Sequence, residues 1–392
     1  MWIVLIFYEA NCFRFWCISW SKMAHGGSSK RDYHKVDYTV RIRDTLQRIE
    51  SMLNSRSKQE HTMELIAEIF CEKSPREMDV RKAQTQLLPA TLTLIQELQL
   101  VVILCEYFQS PGPEATRNAM FLSLFASPTS ITRINVLVKL VSTSVSALIA
   151  PLLCAAGTWM QQLGCTSQSS LDLAQNLVTD FIVFAQKASE QLKFLPQVAP
   201  RFTANTITAV AELYLNEMHD SRSVPPPILL DTFTEWVSSN PELCLASQKP
   251  LVLPSGAIAM PVLTPLAGLI RWCVLAPLMD PAKSYSRLHL AIIQTMQQTP
   301  PPIGSPTVIN AQHLCLIVAT LEGKYLQIKR PENYSKTAEE RFQLCLERFA
   351  QAVQVALSSH CVYGSIPQLL CRLEALPQST LMQMVIKSNR NT

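Results

Sequence analysis

The histidines and cysteines are the residues of this sequence that could form a metal or catalytic centre. The seven histidines are isolated along the chain. No two of them are four residues apart, the spacing that places two metal ligands on one face of a helix. His289 and His313 lie in apolar segments, where a histidine more often packs in a core than binds a metal. The 12 cysteines include no Cys-x-x-Cys pair. We therefore predict no metal site and no cofactor, and we interpret the cysteines as buried free thiols of a protein from a reducing compartment.

The sequence lacks the short motifs of the common enzyme classes. It contains no Gly-x-x-x-x-Gly-Lys-Ser/Thr loop, no Gly-x-Gly-x-x-Gly, no Gly-x-Ser-x-Gly, no His-Glu-x-x-His and no kinase Asp-Phe-Gly. Only 10 residues are glycine, well below the usual share of about 7%, which argues against glycine-rich phosphate loops. The charges at Glu339-Glu340 and Glu347-Arg348 are predicted to lie on a solvated helix face rather than around a substrate. The chain is therefore predicted not to be an enzyme.

Two pairs of cationic and aromatic residues remain as candidates for contacts with a partner. Arg271 and Trp272 lie in the longest apolar segment, LTPLAGLIRWCVLAPL (263–278), and Tyr285 and Arg287 follow it. An unpaired guanidinium is costly in an apolar layer, so Arg271 must reach solvent, a carboxylate, or the carbonyl groups that end a neighbouring helix. Aromatic residues beside cations can stack on single-stranded RNA, but this needs a surrounding basic groove. No such groove is evident in the sequence, and packing is the favoured interpretation of Trp272.

The segment 263–278 is predicted to be a buried helix. Thr264 can cap it, Pro265 fits its first turn, and Pro277 is expected to stop it. Apolar residues surround the helix axis on nearly every side, which is typical of a helix buried in a core. The segment is shorter than about 18 uninterrupted apolar residues and contains Arg271, so we do not expect it to span a membrane.

The rest of the chain predicts further helices, each about 12 to 20 residues long and separated by proline-marked turns. The clearest is TAEERFQLCLERFAQAVQVALSS (337–359), whose apolar face consists of Phe342, Cys345, Leu346, Phe349, Val353 and Leu357. No segment alternates convincingly over a strand's length, and short turns favour antiparallel neighbours. We predict an all-α protein, in the form of an irregular α-solenoid of antiparallel helix pairs similar to HEAT or armadillo repeats.

Shifts in composition divide the chain into three parts. Residues 1–36 are predicted to be a disordered or spurious extension, since a second methionine, Met23, begins a segment like an ordinary flexible start. Residues 37–223 form a predicted amino-terminal helical-repeat half. The segment Val224-Pro225-Pro226-Pro227 then begins the carboxy-terminal helical half, residues 224–392.

Charge and hydropathy favour protein partners over nucleic acid. Hydrophobic residues make up 48% of the chain and charged residues only 16%, against a usual charged share of about 25%. The net charge is +4, and the basic residues are scattered, so we do not expect direct nucleic-acid binding. A helical-repeat protein that binds RNA remains the alternative.

Six segments, in this order, resemble the Integrator complex subunit fifteen family. They are ELQLVVILCEYFQ (97–109), FLSLFASP (121–128), VKLVS (138–142), LTPLAGLIRWCVLAPL (263–278), YSRLHL (285–290) and LERFAQAVQVAL (346–357). The resemblance spans residues 91–386, whereas the first 90 residues match poorly. The link from Pro277 to Tyr285 is shorter than the basic, polar insertion of vertebrate members, and IKSNRNT takes the place of their proline- and histidine-rich tail.

The resemblance implies a non-catalytic scaffold of the nuclear Integrator complex. That complex associates with RNA polymerase II, processes the 3′ ends of small nuclear RNA and attenuates transcription. The implied partners are the Integrator subunits of the arm that contains subunits ten, thirteen and fourteen. Our leading hypothesis is that one helical face binds these subunits, with Arg271, Trp272, Tyr285 and Arg287 as candidate contacts.

Overall fold

The structure is a computed structural model, and it describes residues 38–55, 59–71, 92–126, 130–215, 225–245, 264–279, 284–298, 308–330 and 335–390. The extension predicted for residues 1–36 lies outside these ranges. Within them the chain forms seventeen helices and one pair of two-residue strands. The prediction of an all-α protein is therefore confirmed, while the solenoid arrangement stays a prediction. No helix in the described ranges is both long and apolar enough to cross a bilayer.

The first of two compact units consists of the described residues from Tyr38 to Ala155. Its helices are α1 (Tyr38–Ser55), α2 (Gln59–Ile69), α3 (Leu94–Gln109), α4 (Glu114–Phe125), α5 (Ile131–Ala147) and the first residues of α6 (Ala150–Leu163). Helix α1 packs on α2, α3 and α4, and α3 packs on α5. A capping box fixes the start of α3. The Thr93 hydroxyl accepts a hydrogen bond from the Gln96 backbone N–H, and the Gln96 side-chain oxygen accepts one from the Thr93 backbone N–H. Phe108, Phe121 and Phe125 form the aromatic centre of this core.

The second unit comprises residues 156–392. After the remainder of α6 come α7 (Gln168–Leu192), α8 (Leu195–Val198), α9 (Pro200–Leu215), α10 (Pro227–Ser239), α11 (Glu242–Leu245), α12 (Pro265–Met279) and α13 (Ser284–Gln298). Strand β1 (Ile309–Asn310), α14 (Ala311–Ile328), α15 (Lys336–Ser358), β2 (Val362–Tyr363), α16 (Ile366–Glu374) and α17 (Thr380–Arg390) complete it. The two strands pair in parallel.

Helix α12 lies at the centre of the second unit, because its apolar surface meets α9, α13, α14 and α15. Its beginning agrees with the sequence: the Thr264 hydroxyl accepts a hydrogen bond from the Ala267 amide at 3.3 Å, and Pro265 is the first helical residue. The predicted division at residue 224 falls inside this unit, where α9 on one side of it packs on α12 on the other. The division of the chain into two helical halves at this residue stays a prediction.

Pro277 does not end helix α12 as predicted, because it lies inside a helix that continues to Met279. Proline has no N–H group, so the carbonyl oxygen of Cys273, four residues earlier, loses its helical donor. The Nη1 group of Arg348 in α15 donates to this oxygen at 2.9 Å, and its Nη2 group donates to the Ser286 hydroxyl at 2.7 Å. Arg348 is only 5% exposed. The prediction that Arg348 lies on a solvated face is therefore wrong. Pro277 leaves the buried Cys273 carbonyl without a helical donor, and the Arg348 guanidinium donates to it instead.

Helices α6 and α9 approach each other closely at Gly157. A Cβ atom at this position would lie 2.6 Å from the backbone nitrogen of Phe202. The Asn205 side-chain nitrogen donates a hydrogen bond to the Gly157 carbonyl at 2.8 Å. Its side-chain oxygen accepts a hydrogen bond from the Cys165 thiol at 3.2 Å. Only glycine allows the two backbones to meet at this distance.

Candidate partner-binding site

An aromatic cluster joins four helices around α12. The Trp272 ring stacks on Tyr214 of α9, with centroids 5.8 Å apart. It meets Phe233 of α10 and Tyr285 of α13 edge to face, at 6.2 and 5.6 Å. Such arrangements add about 0.5–1.5 kcal/mol per pair beyond the burial of the rings. The cluster therefore fixes the relative positions of α9, α10, α12 and α13.

Burial limits what the two predicted aromatic residues can contact. Trp272 is 1% exposed and Tyr285 is 3% exposed, so their rings make their contacts inside the chain. This agrees with the interpretation of Trp272 as a packing residue. A direct contact with a partner is left to the two predicted arginines, for which it stays a prediction.

Both arginines form ion pairs that connect helices. Arg271 of α12 pairs with Glu212 of α9 at 2.5 Å, with 30% of the arginine side chain exposed. This meets the requirement that its guanidinium reach solvent or a carboxylate. Arg287 of α13 pairs with Asp231 of α10 at 2.7 Å and is 66% exposed. The two arginines do not share a carboxylate, and part of each side chain stays exposed.

A groove of about 840 Å³ lies beside the Arg271 edge of helix α12. Four helices contribute to it: the end of α9, the second half of α12, the second half of α14 and the start of α15. Its lining consists of Leu215, Arg271, Leu275, Leu278, Ala319, Thr320, Gly323, Lys324, Gln327, Ile328, Ser335, Thr337, Ala338 and Arg341. We call this set of residues the α12 groove. Among the described residues, this lining contains three cations, Arg271, Lys324 and Arg341, and no carboxylate.

Of the residues that line the α12 groove, only Arg271 was predicted from the sequence to contact a partner. Lys324 of α14 and Arg341 of α15 lie 53 and 70 residues after Arg271 along the chain, and each taken alone resembles an ordinary surface cation. Gly323 did carry a signal, because an isolated glycine inside a helical pattern costs about 1 kcal/mol relative to alanine.

Four buried titratable side chains of the second unit are held in their uncharged forms. Burial raises the pKa of Cys244, Cys273 and Cys345 to about 12, so these thiols stay protonated and are poor nucleophiles at neutral pH. Burial also lowers the pKa of His289 to about 4. Among the residues that the structure describes, no three His, Cys, Asp or Glu side chains are grouped so that they could hold a metal ion.

The described cysteines fit the interpretation of free thiols in most cases. All ten are free, and six of them, Cys105, Cys165, Cys244, Cys273, Cys345 and Cys361, are buried. The other four depart from it, because Cys71, Cys154 and Cys315 are half-buried and Cys371 is exposed.

Comparison with known proteins finds similarity along most of the chain. The family model described as Integrator complex subunit 15 matches residues 28–378. A Drosophila melanogaster protein named Integrator complex subunit 15 is 49% identical over 364 residues, which cover 92% of this chain and 96% of that protein. The Homo sapiens protein of that name is 30% identical over 365 residues, covering 83% of this chain and 77% of its own length. The Danio rerio protein of the same name is 30% identical over 328 residues, covering 75% of this chain and 66% of its own length.

The family match begins earlier than the resemblance seen in the sequence. It includes residues 28–90, so the statement that the first 90 residues match poorly is wrong. Helices α1 and α2 lie within the matched region.

Proposed function

The chain belongs to the Integrator complex subunit 15 family, and on this basis we propose that it is a non-catalytic scaffold subunit of the nuclear Integrator complex. The observation that carries the proposal is the family match over residues 28–378, which includes almost every helix described above. In this role the subunit binds the Integrator subunits of the arm that contains subunits ten, thirteen and fourteen. It contributes indirectly, through that arm, to small nuclear RNA 3′-end processing and to attenuation of transcription by RNA polymerase II.

The use of polar residues in the second unit supports a scaffold. Ion pairs join helices to one another, as at Arg271–Glu212, Arg287–Asp231 and Arg372–Glu322. The three cysteines whose pKa is raised by burial, and His289, whose pKa is lowered, are neutral at physiological pH. This does not favour acid–base or nucleophilic chemistry at these residues. As a scaffold, the chain arranges its helices as an irregular solenoid of antiparallel pairs, divided near residue 224.

Affinity purification tests this proposal directly. A tagged full-length chain, purified from nuclear extract, is expected to bring down Integrator subunits ten, thirteen and fourteen in comparable amounts. Depletion of the chain is expected to raise the level of small nuclear RNA with unprocessed 3′ ends. A chain that is recovered alone, monodisperse and without Integrator subunits, would contradict the proposal.

A charge exchange separates the two roles that Arg287 could have. Arg287→Glu alone breaks the pair with Asp231, whereas Arg287→Glu combined with Asp231→Arg restores an ion pair between α10 and α13 with opposite polarity. If Arg287 contacts a partner subunit, both variants lose that subunit in the purification. If recovery of the subunit returns in the double variant, Arg287 serves only to hold its helix.

RNA binding is the weaker candidate function. The aromatic residues named for stacking, Trp272 and Tyr285, are buried, and a buried ring offers no face to a base. The isolated chain is therefore expected not to bind U-rich RNA at low salt. Binding that falls steeply with added salt would instead favour this alternative.

A further inference from the structure

The turn between helices α3 and α4 presents a serine followed by a proline at the surface of the first unit. Ser110 is the C-cap of α3, and Pro111, Gly112 and Pro113 lead from it to the start of α4 at Glu114. All four residues of the turn are exposed. Both helices that flank the turn are described in full. The Ser110 hydroxyl is therefore on a surface that an enzyme can approach.

Serine or threonine followed by proline is the minimal motif of the proline-directed protein kinases. The sequence contains six such pairs, which begin at Ser74, Ser110, Ser127, Thr264, Thr299 and Ser305. Two of them, at Ser110 and Thr264, lie among the described residues. Thr264 is 5% exposed, and its hydroxyl donates to the Val308 carbonyl and caps helix α12. Of the two described pairs, only the one at Ser110 is therefore accessible to a kinase.

The backbone of Ser110 already has the extended conformation in which protein kinases bind their acceptor residue. Its φ is −65° and its ψ is 147°. Pro111 disfavours a helical conformation at Ser110, because the proline ring would clash with the backbone of the residue before it. The turn thus presents the serine in extended form without any unfolding of α3.

Arg117, near the start of α4, lies where it can bind a phosphate on Ser110. Its Nη1 group is 3.5 Å from the Ser110 carbonyl oxygen. Its Nε group is buried and has no hydrogen-bond partner among the described residues. A phosphoserine carries a charge of about −1.5 to −2 at pH 7 and three acceptor oxygens. A guanidinium group is well suited to bind such a group, because it offers several donors in one plane.

The end of helix α3 opposes the phosphate but does not depend on the free hydroxyl. The Ser110 hydroxyl donates to the Tyr107 carbonyl at 2.5 Å, and phosphorylation removes this donor. The phosphate would also lie at the negative end of the helix dipole, four residues after Glu106. Glu106, however, is paired with Arg43 of α1 at 2.8 Å. The Ser110 backbone N–H still donates to the last carbonyls of α3, so the helix end is retained.

We propose that Ser110 is a phosphorylation site for a proline-directed protein kinase, with ATP as the phosphoryl donor, and that Arg117 binds the phosphate of the product. In the transfer, the Ser110 Oγ atom forms a bond to the γ-phosphorus of ATP. The bond from this phosphorus to the β–γ bridging oxygen breaks, ADP leaves, and the hydroxyl proton passes to the catalytic aspartate of the kinase. The proposal goes beyond the proposed function and does not depend on it.

Phosphorylation of the folded, full-length chain tests the site. The purified chain is incubated with ATP, Mg²⁺ and a cyclin-dependent kinase with its cyclin, and the phosphate on each Ser-Pro or Thr-Pro peptide is measured by mass spectrometry. Ser110 is expected to be modified, whereas buried Thr264 is not. Pro111→Ala removes the motif and is expected to lower the initial rate at Ser110 by about tenfold or more.

A titration followed by phosphorus NMR tests the contact with Arg117. The signal of phosphorylated Ser110 is the one that Ser110→Ala removes. The second pKa of a phosphoserine is about 6, and the adjacent guanidinium is expected to lower it by about 0.5, roughly a threefold change in proton affinity. Arg117→Gln should return this pKa to its usual value. The matched control is Lys387→Gln in α17, which removes one exposed cation from the second unit and should leave the pKa unchanged.

Three outcomes would overturn the proposal: no phosphate on Ser110, an equal rate of phosphorylation in Pro111→Ala, or a phosphoserine pKa that Arg117→Gln leaves unchanged. Circular dichroism checks that the variants keep their helix content. None of these measurements involves an Integrator subunit, so the failure of this proposal is distinguishable from the failure of the proposed function.

Discussion

At the scale of single residues, one proline leaves helix α12 with a carbonyl group that has lost its donor, and a buried arginine compensates for it. Pro277 cannot donate to the Cys273 carbonyl, and Arg348 does so from α15. Both acceptors of this guanidinium, the Cys273 carbonyl and the Ser286 hydroxyl, are neutral. Burial consequently lowers the pKa of Arg348 from its usual value. A buried charge of this kind is tolerated because its hydrogen bonds are made.

We predict that the effects of Arg348 and Pro277 on stability are coupled. Arg348→Met leaves the Cys273 carbonyl unsatisfied and is expected to lower the free energy of unfolding by about 1–3 kcal/mol. Pro277→Ala supplies the missing N–H group, so the same arginine substitution should cost about 1–2 kcal/mol less in a chain that already carries Pro277→Ala. Urea unfolding of the two single variants and the double variant measures this coupling. Purely additive effects would contradict the link between the proline and the arginine.

His289 predicts a loss of stability in mildly acidic solution. Burial lowers its pKa from 6.5 to about 4, and the positive charge of Arg348 acts in the same direction. The folded chain therefore binds fewer protons than the unfolded chain between these values. The contribution is fully present above pH 6.5 and is lost as the pH falls towards 4. Between pH 7 and pH 5 the expected loss is about 2 kcal/mol.

The variant His289→Gln isolates this effect from other titrating groups. The difference in free energy of unfolding between the wild type and the variant should change by about 2 kcal/mol from pH 7 to pH 5. The Gln351 side chain, whose oxygen lies 3.2 Å from His289 Nε2, can accept a hydrogen bond from either residue. An equal pH response in the two proteins would show that His289 is not the titrating group.

At the scale of helices, two glycines in similar helical positions have opposite surroundings. Gly157→Ala is expected to destabilise the chain by about 1–3 kcal/mol, because the new methyl group meets the Phe202 backbone and forces α6 and α9 apart. Gly323→Ala is expected to stabilise it by about 0.4–1 kcal/mol, since the methyl group enters open space and the helix gains propensity. Thermal unfolding of both variants compares them directly. Stabilisation at position 157, or destabilisation at position 323, would contradict this description.

Helices were predictable from the sequence because their signals are local. Of the apolar face that the spacing in α15 predicted, Phe342, Cys345, Leu346, Phe349 and Val353 are buried, whereas Leu357, near the end of the helix, is half-buried. Arg348 stands one residue away from this face and was misassigned, since the acceptor that explains its burial lies in another helix. The α12 groove could not be predicted for the same reason. Its lining residues come from four helices that are far apart in the sequence, and no local pattern shows which helices pack together.

At the scale of the whole molecule, the second unit depends on contacts that cross residue 224. Helix α9 supplies Tyr214 to Trp272 and Glu212 to Arg271. A fragment that begins at residue 224 would lack both partners and would expose the surface of α12 that α9 covers.

This dependence predicts different stabilities for two fragments. A fragment of residues 150–392 is expected to unfold cooperatively. One of residues 224–392 should have a midpoint lower by about 10 °C, because losing about 3 kcal/mol shifts a domain of this size by about 2–4 °C per kcal/mol. Circular dichroism during heating measures both. Equal midpoints would instead support the division at residue 224 that composition suggests.

The distribution of exposed and buried cysteines allows local unfolding of single helices to be followed by alkylation. Cys371 is exposed, whereas Cys244, Cys273 and Cys345 are buried in the second unit. An electrophile such as iodoacetamide would alkylate Cys371 at once and each interior sulfur only when its helix separates from its neighbours. The time course of alkylation, followed peptide by peptide in a mass spectrometer, would rank these helices by their opening rates. Repeating the alkylation in the presence of an Integrator subunit would show in which helices the opening rate falls.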